Sequence, residues 1–243
     1  MEHLQSPTLN YLATPYMIRE DFTLTALSND GNLPCTLLHN ENNETKANLV
    51  VVPSVFGVDE TFLLHCQRFV DSGYRVYTLD SFWRTEPGPL LANEAGREKA
   101  MARMAALADS DCDNDVSTLL DHVKDLHPGV RTIGLGICFG GRPIVRAAID
   151  SKLDGVAAWH GVRISELSAE LPQLSCPASL QFGAIDAWTP AEDISIIEQA
   201  TSNLSGIDIQ VHADSDHGFT HLGRAPVFNE AAYDKSYASL LQL

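Results

Sequence analysis

Basic side chains are scarce in this chain: 16 lysines and arginines stand against 32 aspartates and glutamates, a formal charge of −16 over 243 residues. Nucleic acid and anionic membranes both select for clustered positive charge, so neither is expected as a partner. No apolar run approaches the roughly 20 residues that a membrane helix needs. The opening stretch, Met1 to Glu20, has no basic segment followed by an apolar core, so no secretory signal is expected there. Cysteine is sparse and odd in number, at 35, 66, 112, 138 and 176, with no CxxC pair. Reduced thiols in a cytoplasm suit that pattern better than a disulfide framework, and the sequons at Asn43 and Asn203 then carry little weight. Internal repeats and low-complexity linkers are also missing, and a single domain spanning 1–243 is expected.

What is present is alternation. Apolar runs at Ala47–Pro53, Tyr74–Leu79, Arg131–Ile137, Gly155–His160, Ala178–Gly183 and Ile207–Ala213 are separated by helical patterns. Several are apolar on both faces, as parallel strands covered on both sides must be. Phe62, Cys66, Phe69 and Val70 mark one amphipathic helix that stops at Gly73. Val116, Leu119, Leu120, Val123 and Leu126 mark another, Glu98–Leu107 reads as helical, and a closing helix is expected within Ala225–Leu243. Alternation in "DFTLTALS" and the run "LPCTLL" predict an antiparallel hairpin turning at Asp30-Gly31, at one edge of the sheet. The fold class expected is α/β: a mostly parallel, doubly wound sheet with helices on both faces and an antiparallel N-terminal edge.

Between the third strand-like run and the helix after it lies Gly136-Ile137-Cys138-Phe139-Gly140. It has the form of a nucleophile elbow, with cysteine in the serine place. The following helix start would favour a thiolate and a developing oxyanion. On the pentapeptide alone, a small buried structural cysteine competes equally with a nucleophile. A nucleophile needs a base and the base an orienting acid. Asp186 in "LQFGAIDAWTP" and His217 in "VHADSDHGFTH" both follow strand ends, in the order this fold uses. Singly, Asp186 reads as a cap for a helix near Pro190 and His217 as a solvated loop residue; as an ordered set the three point to acyl transfer.

The blocks "GICFGGR", "FGAIDAWTP", "DHGF", "FGVD" and "DSFWRTEPG" resemble those of the dienelactone hydrolase family, thiol members of the α/β-hydrolase fold. The resemblance runs from about Asp21 to the C-terminus. It implies hydrolysis of a small ester or lactone through Cys138, His217 and Asp186 and a thioester intermediate, with no cofactor and no metal. It also implies an oxyanion hole from the backbone N–H groups of Phe139 and Val55, and a substrate-carboxylate arginine at Arg84. Where family members carry a glutamate, this chain has Ser54. The family's second arginine corresponds to His221, with Arg224 three residues further on. Trp188, Arg142 and Arg163 are further candidate pocket residues. A broader carboxylesterase or thioesterase, and a non-catalytic scaffold binding a small molecule, are the competing functions.

Two metal-like patterns are set aside. "DSDCDND" (Asp109–Asp115) lacks the glycine and glutamate of a calcium loop, and its acids are expected to cap a helix starting near Val116. His212, His217 and His221 are interrupted by Gly218 and have no cysteine nearby in sequence.

Overall fold

The apolar runs become the strands of one eight-stranded sheet in the computed structural model, which describes residues 17–41, 44–222, 224 and 226–243. Asn43 of the first sequon and the first sixteen residues lie outside those described. In chain order the strands are β1 (Ile18–Thr25), β2 (Asn32–His39), β3 (Ala47–Val52), β4 (Tyr74–Leu79), β5 (Thr132–Ile137), β6 (Gly155–Trp159), β7 (Ala178–Gly183) and β8 (Ile207–His212). Every residue of β3, β5, β6 and β7 is buried, which is why these stretches read as apolar on both faces. β1, by contrast, alternates partly buried with exposed residues over its second half, as an edge strand does.

The spatial order is β1-β2-β4-β3-β5-β6-β7-β8. β1 with β2 and β2 with β4 are antiparallel, and all remaining pairs are parallel. The chain leaves β3 toward β4 and then returns to β3's other side as β5. Connections therefore diverge beyond the carboxyl ends of β3 and β5, and a crevice opens there.

Among the described residues six α-helices cover the sheet: α1 (Glu60–Asp71), α2 (Glu94–Ala106), α3 (Asp109–Leu126), α4 (Gly141–Ile149), α5 (Ala191–Thr201) and α6 (Glu230–Leu240). Right-handed crossovers in opposite directions put α1 on one face and α3 with α4 on the other. α6 joins α1, where the Phe69 and Tyr237 rings stack at 5.0 Å and Arg68 lies 3.7 Å over Tyr237. Trp159, fully buried, packs between Phe69 and Tyr233 in the same layer. Among the described residues, no helix is long and apolar enough to cross a membrane.

One boundary differs from expectation: α3 starts at Asp109, not near Val116. The acidic run does not precede the helix but forms its opening turns. Arg142 reaches Asp113 at 2.9 Å, and Arg163 holds Asp109 with two N–H groups at 2.8 and 2.7 Å. Carboxylates near the positive end of a helix, with cations bound to them, remove the repulsion that made the run look unhelical.

Candidate active site

Cys138 stands where β5 turns into α4. Its φ is +54°, in the left-handed region that costs a non-glycine residue roughly 1–3 kcal/mol. Two neighbours allow the turn. A Cβ on Gly136 would lie 2.2 Å from the carbonyl oxygen of Gly140, and one on Gly140 would lie 2.2 Å from that of Val52. Only hydrogen fits at either position, so the G-x-C-x-G spacing is set by strand-to-helix contact. The turn continues as a short 3-10 segment, Cys138–Gly140, and then as α4 with Pro143 in its first turn.

The loops after β7 and β8 bring two more side chains to this crevice. Asp186, 4% exposed, accepts a hydrogen bond from the Trp188 backbone N–H at 2.7 Å through Oδ1. Its Oδ2 lies 2.8 Å from His217 Nδ1, which fixes the ring so that Nε2 faces the Cys138 sulfur at 3.1 Å. The three residues, far apart in sequence, thus form one linear chain of contacts.

Charge at the site follows from burial and these contacts. Burial alone would push the Cys138 thiol up, yet its pKa is lowered. The positive His217, its hydrogen bond, and the backbone N–H groups of Phe139 and Val55 together outweigh desolvation. His217 shows the converse: burial disfavours its cation, but the thiolate and Asp186 push its pKa up to about 10. Both shifts act in one direction, toward a thiolate–imidazolium pair. The other cysteines, all free and buried, move the opposite way, Cys35 to about 12, because desolvation outweighs every contact that would lower them.

The backbone around Val55 is held by a residue the sequence did not single out. Arg103 of α2 is only 2% exposed, and its Nε and Nη2 both donate to the Val55 carbonyl, at 3.0 and 2.6 Å. Its Nη1 donates to the carbonyls of Glu86 and Gly88 at 2.9 and 2.7 Å, and its guanidinium lies 4.2 Å over the Phe82 ring. One buried fork thus ties the loop after β3 to the Asp80–Gly88 segment. The only sequence signal for it was an arginine on the inner side of an expected helix. Ser54 turns its hydroxyl to its own loop, accepting from the Phe56 N–H at 3.2 Å.

Cys138 and His217 border two hollows. The larger, a cleft of about 390 Å³, is lined by Val55, Met101, Met104, Trp188, Arg97 and Arg224 among others. That is room for a small ligand. The smaller is a recess of about 40 Å³ behind the sulfur, lined by Ser54, Asp59, His65, His160 and His221 among others. His221 lies 3.9 Å from Asp59 and edge-on to Phe56; burial lowers its pKa and raises that of Asp59. Trp188 is half exposed, its ring 6.2 Å from that of His217.

Arg84 is not at the cleft, which corrects the expectation of a carboxylate clamp there. It is bound to Asp115, fully buried, and to Asp30 at 2.7 Å, and it stacks 4.2 Å over Trp83. Trp83 donates to the same Asp115 at 2.9 Å. A guanidinium with two internal carboxylates has no free fork for a substrate. Arg142 is likewise committed to Asp113, and Arg163, though it borders the cleft, to Asp109 and Glu166. Arg97 and Arg224, by contrast, make no ion pair among the described residues.

Comparison with known proteins agrees with this architecture. The family profile described as "Dienelactone hydrolase family" matches residues 35–243. A protein of Azospirillum brasilense, described provisionally as a carboxymethylenebutenolidase, is 26% identical over 76% of this chain and 80% of its own length. The carboxymethylenebutenolidase of Pseudomonas putida is 22% identical over 76% and 79%. Among solved structures, a Klebsiella pneumoniae subsp. pneumoniae MGH 78578 protein, provisionally a dienelactone hydrolase, superposes with a TM-score of 0.79 at 21% identity. The superposition covers 93% of this chain and 97% of that one, and at such identity it shows a shared fold. With the family profile spanning most of its length, the chain belongs to the dienelactone hydrolase family.

Proposed function

We propose that this protein hydrolyses small esters or lactones with Cys138 as nucleophile, His217 as proton carrier and Asp186 as orienting acid. The observation that carries the reading is His217 bridging the Cys138 sulfur at 3.1 Å and Asp186 at 2.8 Å. The Cys138 thiolate attacks the carbonyl carbon, and the oxygen that becomes negative is received by the N–H groups of Phe139 and Val55. The His217 imidazolium gives its Nε2 proton to the departing alkoxide as the carbon–oxygen bond breaks, leaving a thioester on Cys138. His217, now neutral, takes a proton from water as that water attacks the thioester. Carboxylic acid leaves, and the thiolate–imidazolium pair is restored. Each oxyanion donor is typically worth about 3 kcal/mol in the transition state.

Ser54 supplies no carboxylate to activate the thiol, and the charge balance above supports His217 as sufficient for it. An anionic substrate fits the cleft best, with Arg97 and Arg224 in the role that the family resemblance implied for Arg84. A broader esterase is the second reading, favoured by Met101, Met104 and the exposed Trp188 along the same wall. Five free thiols suit a reducing compartment such as the cytoplasm. The test is hydrolysis of an activated aryl ester by wild type and Cys138→Ala. A loss of at least about a thousandfold supports the triad; equal rates rule it out in favour of a non-catalytic scaffold.

A further inference from the structure

His160, one residue beyond β6, has no part in the triad, yet its ring stands edge-on to that of His217 at 4.9 Å. It is 3% exposed. Its Nε2 is paired with the Thr220 hydroxyl at 2.8 Å, while its Nδ1 is buried without a partner. A buried imidazole nitrogen left unpaired is unusual, because each such group carries a desolvation cost. The Cys138 sulfur and one ring nitrogen each from His160 and His217 all lie within 4.8 Å of one another. Among the described residues this is the one such group of three or more. The cluster differs from the His212, His217 and His221 set weighed in the sequence: His212 is turned away to Gln181 at 2.8 Å, and the missing cysteine ligand arrives from β5.

We propose that Cys138, His160 and His217 form a binding site for a thiophilic divalent cation, zinc above all, which reversibly blocks the nucleophile. One thiolate and two imidazoles suit zinc, and three protein ligands leave a fourth position open to water from the cleft. Tetrahedral zinc, with bonds of about 2.3 Å to sulfur and 2.0 Å to nitrogen, sets sulfur and nitrogen about 3.5 Å apart. The sulfur and His217 nitrogen need only spread slightly from 3.1 Å. Supporting contacts are already in place: Asp186 on the far nitrogen of His217 and Thr220 on that of His160. Such outer partners orient histidine ligands and raise their basicity. Binding releases one proton, from His217 Nε2, as zinc takes its place opposite the thiolate.

The site itself rests on geometry; that zinc inhibits rests on the hydrolase reading. Chelator-treated full-length protein is titrated with zinc chloride by calorimetry and with cobalt(II) by absorption. The expected result is one ion per chain, a thiolate-to-cobalt charge-transfer band, and zinc protection of Cys138 from iodoacetamide. His160→Gln is expected to weaken zinc roughly tenfold or more, with Cys138→Ser abolishing the stoichiometric site. Thr220→Val, which removes only the orienting hydroxyl, gives a smaller loss if His160→Gln fails to fold. Absence of stoichiometric binding, binding that survives Cys138→Ser, or unchanged affinity in a folded His160→Gln overturns the site. A chain that binds zinc but hydrolyses nothing overturns the hydrolase reading alone.

Discussion

Arg103 grips the carbonyl oxygen of Val55 with two N–H groups, at 3.0 and 2.6 Å, from a helix 48 residues further along the chain. The same peptide segment turns the Val55 N–H toward the Cys138 sulfur. The held carbonyl belongs to the peptide that follows Val55 and the N–H to the one before it, so Arg103 fixes the plane next to the donor and restricts the loop that carries it. Under the proposed mechanism Arg103 is a positioning residue that acts through the Val55 loop without touching substrate.

Arg103→Lys keeps a charge but loses the fork that serves three carbonyls. Its kcat on an activated ester is expected to fall about 10- to 100-fold, part of what an oxyanion donor contributes, with KM nearly unchanged. Steady-state kinetics beside a circular dichroism melt separate this from unfolding. A KM effect with kcat intact would show that Arg103 serves the cleft wall and not the amide.

Thiol labelling tests the charge balance. Cys138 has a lowered pKa, so its thiolate persists as pH falls below the ordinary cysteine value; the other four are raised by burial and stay protonated. At pH 6 iodoacetamide is expected to modify Cys138 alone, read by peptide mass spectrometry. In His217→Asn the desolvation of Cys138 is no longer opposed by a cation, and its labelling curve shifts to higher pH. His217 itself, raised to about 10, holds its proton through neutral pH. Its share of stability is fully present below about 6.5 and is lost as pH rises through about 10.

The arginines divide by their partners. Arg84→Ala strands the buried Asp115 and is expected to cost about 3–5 kcal/mol of stability, seen as a lower denaturant midpoint, with kinetics unchanged in the folded fraction. Arg97→Ala and Arg224→Ala are expected to leave stability alone. Each raises KM for carboxylate-bearing lactones about tenfold or more, and leaves neutral esters unaffected. Equal effects on both substrate types would remove the anion from the substrate class.

What could be read in advance follows the range of the interactions. β4 and β7 match their apolar runs end to end, and the Cys138 elbow was legible because Gly136 and Gly140 bracket the cysteine at two residues on either side. Asp186 and His217 were legible through their place after strands, since the sheet carries every strand end to the same rim. Arg84 misled because its partner Asp115 lies 31 residues away on a helix whose start was itself misjudged. Arg97 and His160 left no local signal, and Arg103 left only its place on an expected helix. Their roles come from loops that meet only when the sheet closes, and no periodicity records which carbonyl a guanidinium will find.

The covalent intermediate is the most direct test of a cysteine nucleophile in this fold. Wild-type protein is mixed with a slowly deacylating activated ester, quenched in acid within one turnover, and weighed intact. The expected spectrum shows a gain of one acyl group, labile to hydroxylamine, on the peptide carrying Cys138, and no gain in Cys138→Ala. Hydrolysis that proceeds with no adduct, or with the acyl group on another residue, would mean that Cys138 is not the nucleophile.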